Sequence, residues 1–234
     1  VNDNIAGKHT RLARMPALAD PRVSDRKRRL FAVACLERVA HRLVDPRSLH
    51  ALEVARQLAD GRAEEAERQE AEDLAFEAYL EMCEGRRNGS PTLVPWSWQQ
   101  EQLTRAAALV VAQGFYYAED VADYVQGALG DSPSGGWLFE LQEERRQLHW
   151  LTDILGPFPE EQVKVDPLWL AANDGAVIQL ARSIDAQGDF DALPILADAL
   201  EEAGCADSRL LDHCRQPGEH IRGCWVIDLL LDAI

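Results

Sequence analysis

Five residues toward the C-terminal end, Cys205, His213, Cys214, His220 and Cys224, are of the types that hold metal ions or pair a nucleophile with a base. Thiolate sulfur and imidazole nitrogen suit zinc, and a turn at Pro217-Gly218 can fold His213 or Cys214 back toward His220 and Cys224. No Cys-x-x-Cys pair is present, so the spacing is not that of a common zinc module. His220 and Cys224, four apart, share a face of any helix that includes both. A thiol enzyme built on Cys214 or Cys224 with His213 or His220 needs the pair within hydrogen-bond reach in a cleft, with a third residue fixing the imidazole. Adjacent side chains such as His213 and Cys214 diverge on a helix, and Cys224 falls in a strongly apolar run. The favoured reading is therefore of buried cysteines and hydrogen-bonded histidines, with no cofactor required and zinc the ion these residues would suit.

Charge marks two further surfaces. Arg215, His220 and Arg222 form a cationic corner that can receive a carboxylate or phosphate. The alternative, which is favoured, is that the two arginines pair with Asp212, Glu219 or Asp228 and fix the last helix. Between Glu64 and Glu84 nine acids face Arg68 alone, and Glu64, Glu65 and Glu72 represent that acidic helix face. With His213, these residues make up the candidate interaction surface. Lys27, Arg28 and Arg29 have the wrong sign for the first turn of a helix and call for compensation by acids or solvent. Trp96, Trp98, Tyr116 and Tyr117 are expected to pack and anchor loops, and an interhelical small-molecule pocket would lie near Tyr116, Tyr117 and Trp137. Glu140, Glu143 and Glu144 lack the Glu-x-x-His pattern of a di-iron bundle, and the loop Gly130 to Gly136 lacks the lysine of a phosphate-binding loop.

The elements that must position these groups read as helices. Ser24 caps a helix expected through Val44, with Ala32, Cys35, Leu36, Val39 and Leu43 inward. Asp45-Pro46 and Asp166-Pro167 repeat a cap followed by proline at the first helical position. Arg62 to Glu84 reads as a long amphipathic helix, and residues 85 to 95 as a linker. Ser97 and Gln100 match a capping box for a helix through Gln113. Trp137 to Leu155 offers Leu141, Leu148, Leu151 and Leu155 as one face. Asp189 to Gly204 is a short helix with Pro194 in its first turn, Arg209 to Cys214 another, and a last apolar helix is expected to begin near His220 or Ile221. No stretch alternates as a strand would. The expected fold is all-α, an irregular array of about eight to ten helices, with residues 1–23 an extended or partly ordered arm and 24–234 one domain whose halves would be 24–84 and 96–234.

Composition narrows the functional classes. The formal charge is 24 minus 40, or minus 16, which disfavours nucleic acid as a partner because affinity there depends on neutralising phosphates. The first thirty residues run the other way, with eight Lys or Arg against three Asp. Five cysteines, an odd number, do not suggest a disulfide framework. No apolar run approaches the ~18 residues of a membrane span, and the first residues lack a signal-peptide core, so the expected setting is cytoplasmic.

The run Leu193 to Cys205, then His213-Cys-Arg215, Pro217-Gly218, His220, Arg222-Gly-Cys-Trp-Val226 and Asp228-Leu-Leu-Leu231, resembles a family of uncharacterised bacterial helical proteins seen in planctomycetes and actinobacteria. Arg29 to Cys35, Glu53-Val-Ala with Ala59-Asp-Gly61, and Leu151 to Phe158 before Pro167-Leu-Trp-Leu170 resemble the same family. The resemblance brings no established activity. Where related sequences show Cys-Cys-Arg, this chain has Cys35-Leu36-Glu37, which speaks against a cysteine pair at that point. The expected function is a non-catalytic scaffold, adaptor or accessory protein that binds a protein or peptide. A structural-zinc or thiol-dependent enzyme centred on the C-terminal Cys and His residues is the first alternative, and a small-molecule binder the second.

Overall fold

A computed structural model describes residues 17–88, 97–113, 117–130, 136–156 and 163–231, with the backbone alone for 136–140. The first sixteen residues of the expected arm, Trp96, Tyr116 and the side chain of Trp137 lie outside that description, as do residues 89–95 of the expected linker and 131–135 of the polar loop. Among the described residues every regular element is helical, the all-α array expected from the sequence. The chain divides into two compact units, Val1–Leu148 and His149–Ile234.

The first unit contains α1 (Asp25–Glu37), α2 (Pro46–Ala59), α3 (Glu65–Asn88), α4 (Trp98–Val110), α5 (Tyr117–Gly130) and the greater part of α6 (Gly136–Leu155). Helix α1 is its axis: every residue from Lys27 to Leu36 is buried, and α2, α4 and α5 all pack on it. The cations in its first turn are met by backbone carbonyls more than by acids. Arg28 donates to the carbonyls of Leu18 and Asp20, and Arg29 to those of Val110 and Ala112 at the C-terminal end of α4 as well as to Asp25. A helix C-terminus leaves carbonyls unsatisfied, so these two ends complete each other. The helix stops at Glu37, short of Val44, yet Val39 and Leu43 remain in the core through a 3-10 turn at Ala40–Arg42. Helix α3 continues to Asn88, so residues 85–88 of the expected linker are helical.

The second unit begins within α6 and contains α7 (Pro167–Ala171), α8 (Ala176–Gln187), α9 (Leu193–Glu202), α10 (Ser208–Arg215) and α11 (Trp225–Leu231). Val177, Ala181 and Ile184 of α8, Leu193, Leu196 and Leu200 of α9, Leu210, Leu211 and Cys214 of α10 and Val226, Ile227 and Leu230 of α11 form one core. These positions follow the three-four spacing of an inward helical face. The last helix starts at Trp225 and not at His220, so His220 and Cys224 do not share a helix face. Gly223, at φ +89°, ends the irregular segment that precedes it.

Among the described residues, five helix starts carry a side-chain cap. Ser24, Asp45, Ser97, Asp166 and Asp207 each accept a hydrogen bond from a backbone N–H in the first turn that follows. Asp45 is buried and also pairs with Arg47, which reaches Glu81 on α3. Burial works to raise its carboxyl pKa, but the hydrogen bonds from Arg47 outweigh it and hold the value below the ordinary one. Replacing Asp45 with Ala should therefore cost about 1–2 kcal/mol in urea unfolding. The difference between wild type and variant should be complete above the unfolded carboxylate pKa of about 4 and shrink as pH falls through the lower folded-state value.

Candidate metal centre

The site lies wholly in the second unit and is assembled from three segments. Asp153 comes from the last turn of α6, His213 from α10, and His220 and Cys224 from the irregular segment between α10 and α11. One ligand atom from each lies within 4.8 Å of all the others. His220 Nδ1 is 2.6 Å from Asp153 Oδ1, His213 Nε2 is 3.1 Å from the same oxygen, and His213 Nε2 is 3.2 Å from Cys224 Sγ. The side chains are covered, with exposures of 0% for Asp153, 9% for His213 and 5% for His220, and Cys224 is fully buried.

The surroundings orient these groups. Ile221 N–H donates to Asp153 Oδ2 at 2.9 Å, leaving Oδ1 as the oxygen that faces both imidazoles. His220 Nδ1 lies 2.6 Å from the Asp153 carboxylate and Nε2 3.4 Å from the Gln216 carbonyl, both of which can only accept. That arrangement is satisfied by a positive charge: a second ring proton or a cation between Nδ1 and the carboxylate. Trp225 covers His213 from the side, with centroids 5.2 Å apart at 61°.

Electrostatics point the same way. Burial pushes the Asp153 carboxyl up, but the hydrogen bonds from His213 and His220 and the Ile221 amide outweigh it and hold the value at about 2. Burial pulls the His220 pKa down, and the Asp153 carboxylate more than reverses it. Burial raises the Cys224 thiol well above its ordinary range and the Cys214 thiol to about 12.

Two chemistries use Asp, His and Cys together, and the geometry separates them. In a nucleophilic triad the carboxylate and the nucleophile occupy opposite nitrogens of the imidazole. Here Asp153 Oδ1 and Cys224 Sγ both approach Nε2 of His213, so the ring cannot relay a proton between them. A reactive thiol also needs a depressed pKa, and that of Cys224 is raised. Donor atoms converging on one point are instead what a cation requires. A tetrahedral shell with bonds of about 2.0–2.3 Å separates its donors by roughly 3.3–3.8 Å. The three short pairs lie within about 1 Å of that spacing, and two nitrogens, a carboxylate oxygen and a sulfur are a zinc-type donor set.

Of the residues singled out in the sequence, His213, His220 and Cys224 come together here. Cys205 and Cys214 stay in the core of the unit as free thiols. Arg215 leaves the proposed corner to pair with Asp198 and Glu201 of α9, at 2.7 and 2.6 Å, and not with Asp212, Glu219 or Asp228. Arg222 is exposed. Glu65 and Glu72 both pair with the buried Arg68, which also reaches the carbonyl of Val111, while the exposed Glu64 has its N–H on Glu67. Tyr117 is buried, and its hydroxyl donates to Asp25. A groove lies elsewhere, between α3 and α4, lined by Phe76, Tyr79, Arg105 and Leu109.

Asp153 is the functional residue that sequence reasoning missed. The leucine stripe chosen for α6 includes Leu141, which is exposed, whereas the buried positions include Glu143, Gln147, Trp150, Asp153 and Ile154. Spacings of three and four link these as well, and a polar series in register with Trp150 and Ile154 was the available signal. No protein-family description, curated protein or solved structure matches the chain.

Gly156 ties the end of α6 to the site. Its φ is +68°, and a Cβ there would lie 2.6 Å from Cγ of Trp225. Gly156→Ala should therefore lower the melting temperature and push Trp225 away from His213, read as a change in tryptophan fluorescence. An unchanged melting curve and spectrum would show that α6 and Trp225 do not pack in this way.

Proposed function

We propose that the second unit is a structural metal module in which Asp153, His213, His220 and Cys224 hold one zinc ion. The observation that carries this reading is the convergence of four covered donors, two of which share a single imidazole nitrogen. Four protein ligands close a tetrahedral shell and leave no position for substrate, which favours a structural over a catalytic role. The second-sphere contacts fit as well: Ile221 N–H holds the Asp153 carboxylate, and the Gln216 carbonyl faces Nε2 of His220, the nitrogen away from Asp153.

Around this module the chain serves as a non-catalytic helical scaffold or accessory protein for a protein or peptide partner, in the cytoplasm of a bacterium. The acidic outer face of α3 supplies one surface for it. Among the described residues no helix is long and apolar enough to cross a membrane. The resemblance to the bacterial family includes three of the four donors in its C-terminal signature and Asp153 in its upstream stretch.

Elemental analysis of untagged protein should find one zinc per chain, and Asp153→Ala, His213→Ala, His220→Ala and Cys224→Ser should each bind it far more weakly. Cobalt substitution should give a thiolate-to-metal charge-transfer band that disappears in Cys224→Ser. Chelation should lower the melting temperature of the wild type, and zinc should restore it. Metal-free wild type with an unaltered melting curve after zinc addition would overturn the reading. Because Cys224 must lose its proton to bind, affinity should fall as the solution is acidified.

A further inference from the structure

We infer that the groove between α3 and α4 of the first unit receives a short helical segment of a partner protein, apolar along the edge it inserts and basic on the side that faces α3. This rests on the reading of the chain as a scaffold for a protein or peptide partner and names that partner's chemistry; it does not depend on the zinc centre. The groove holds about 390 Å³ and is walled by Asp73, Phe76 and Tyr79 of α3 and by Arg105, Leu109 and Ala112 of α4. Phe76 is 51% exposed, and Leu80, one helical turn further on, is 45% exposed. The core-facing side of α3 is made by Ala71, Ala75, Ala78 and Met82, so packing within the unit does not call for apolar residues at 76 and 80. Two large apolar side chains facing water from adjacent turns, beside a concave surface, are what a docked helix anchors on.

Charge decides what fits. Asp73, Phe76, Glu77 and Leu80 stand at spacings of three and four, so the two acids flank the two apolar side chains on one face of α3. Asp73 and Glu77 are exposed, and neither forms an ion pair among the described residues. Asp73 accepts a hydrogen bond from Gln69 on the preceding turn. Glu72 and Glu81 differ, being held by Arg68 and Arg47. The α4 wall has the opposite sign. The Arg105 guanidinium lies over the rings of Tyr79 and Tyr124, 5.6 and 4.7 Å from their centroids, and forms no ion pair among the described residues. Stacking on two rings fixes it at the rim. A partner therefore meets carboxylates on α3 and a cation across from them, so its Lys and Arg side chains lie toward α3 and its apolar ones rest on Phe76, Leu109 and Ala112. Like charges along α3 repel an acidic segment and a phosphate backbone alike. From Gln69 to Leu80 the helix rises about 16 Å, three turns, which matches a segment of about eleven residues.

The test selects a displayed library of random peptides of about twelve residues, just over three helical turns, against the whole chain. Enriched peptides are then measured by fluorescence anisotropy on wild type, on Phe76→Ala, on Asp73→Lys with Glu77→Lys, and on Asp191→Lys with Glu202→Lys. The last pair makes the same change of charge on the second unit. All these side chains are exposed, so melting curves should match that of the wild type. The peptides should carry Lys or Arg beside Leu, Phe or Trp and bind wild type and the second-unit variant alike. The other two variants should bind them more weakly by about tenfold. Peptides that bind wild type and Phe76→Ala equally would keep a peptide partner but move it off the groove, which overturns this inference alone. A library from which nothing is enriched would overturn both it and the scaffold reading. Two further outcomes would replace the partner with another occupant and so reject it. A dimer that Phe76→Ala separates would seat a second copy in the groove. Binding that tightens about tenfold on combining Lys8→Glu, Arg11→Glu and Arg14→Glu would seat the chain's own basic first residues there.

Discussion

The second unit is organised around one buried carboxylate. Asp153 accepts from the Ile221 amide through one oxygen and faces His213 and His220 through the other, so a single side chain near the end of α6 fixes the segments that precede α11. An ionised carboxylate taken out of water is unfavourable unless it is paired and hydrogen-bonded. Here both oxygens are engaged, and the low pKa of the group records that the pairing outweighs its burial. Removing one partner would leave a covered charge without compensation, so the four residues stand or fall together.

The first unit solves a similar problem with different groups. The first turns of its axial helix carry four successive cations, Arg26 to Arg29, of which Lys27, Arg28 and Arg29 are buried. Arg28 and Arg29 are satisfied by carbonyl oxygens at the ends of neighbouring segments. Arg68 repeats the device from α3, using the carbonyl of Val111. A guanidinium suits this role because its five donors reach several acceptors in fixed directions. The acids of α3 are accordingly of two kinds. Glu65 and Glu72 hold Arg68 in place and Glu81 receives Arg47 from α2, whereas Glu67, Glu70, Asp73, Glu77 and Glu84 are exposed.

Much of this architecture can be read from the sequence where the cause is local. Ser24, Asp45, Ser97, Asp166 and Asp207 announce helix starts because a cap needs only its own next turn. The stripe Leu193, Leu196 and Leu200 is inward as its spacing implies. What fails is what depends on distant partners. The true inner face of α6 contains Glu143, Gln147 and Asp153, whose burial is made tolerable by groups elsewhere in the chain, so a hydrophobicity pattern selects the leucines beside them. The break at Pro217-Gly218 suggests a start for α11 near His220, whereas Gly223 at positive φ delays the helix to Trp225 and leaves His220 and Cys224 outside it. Three of the four donors were visible as residue types. Their convergence was not, because the fourth lies far upstream.

That separation has a thermodynamic consequence. Asp153 and His220 are 67 positions apart, and their contact closes almost the whole second unit into a ring. A firm link across such a span, as a bound ion would provide, removes about 4 kcal/mol of conformational freedom from the unfolded chain, as much as a covalent cross-link of that length. The unit would then resist opening from its end inward, since α11 cannot peel away while its approach is clasped to α6.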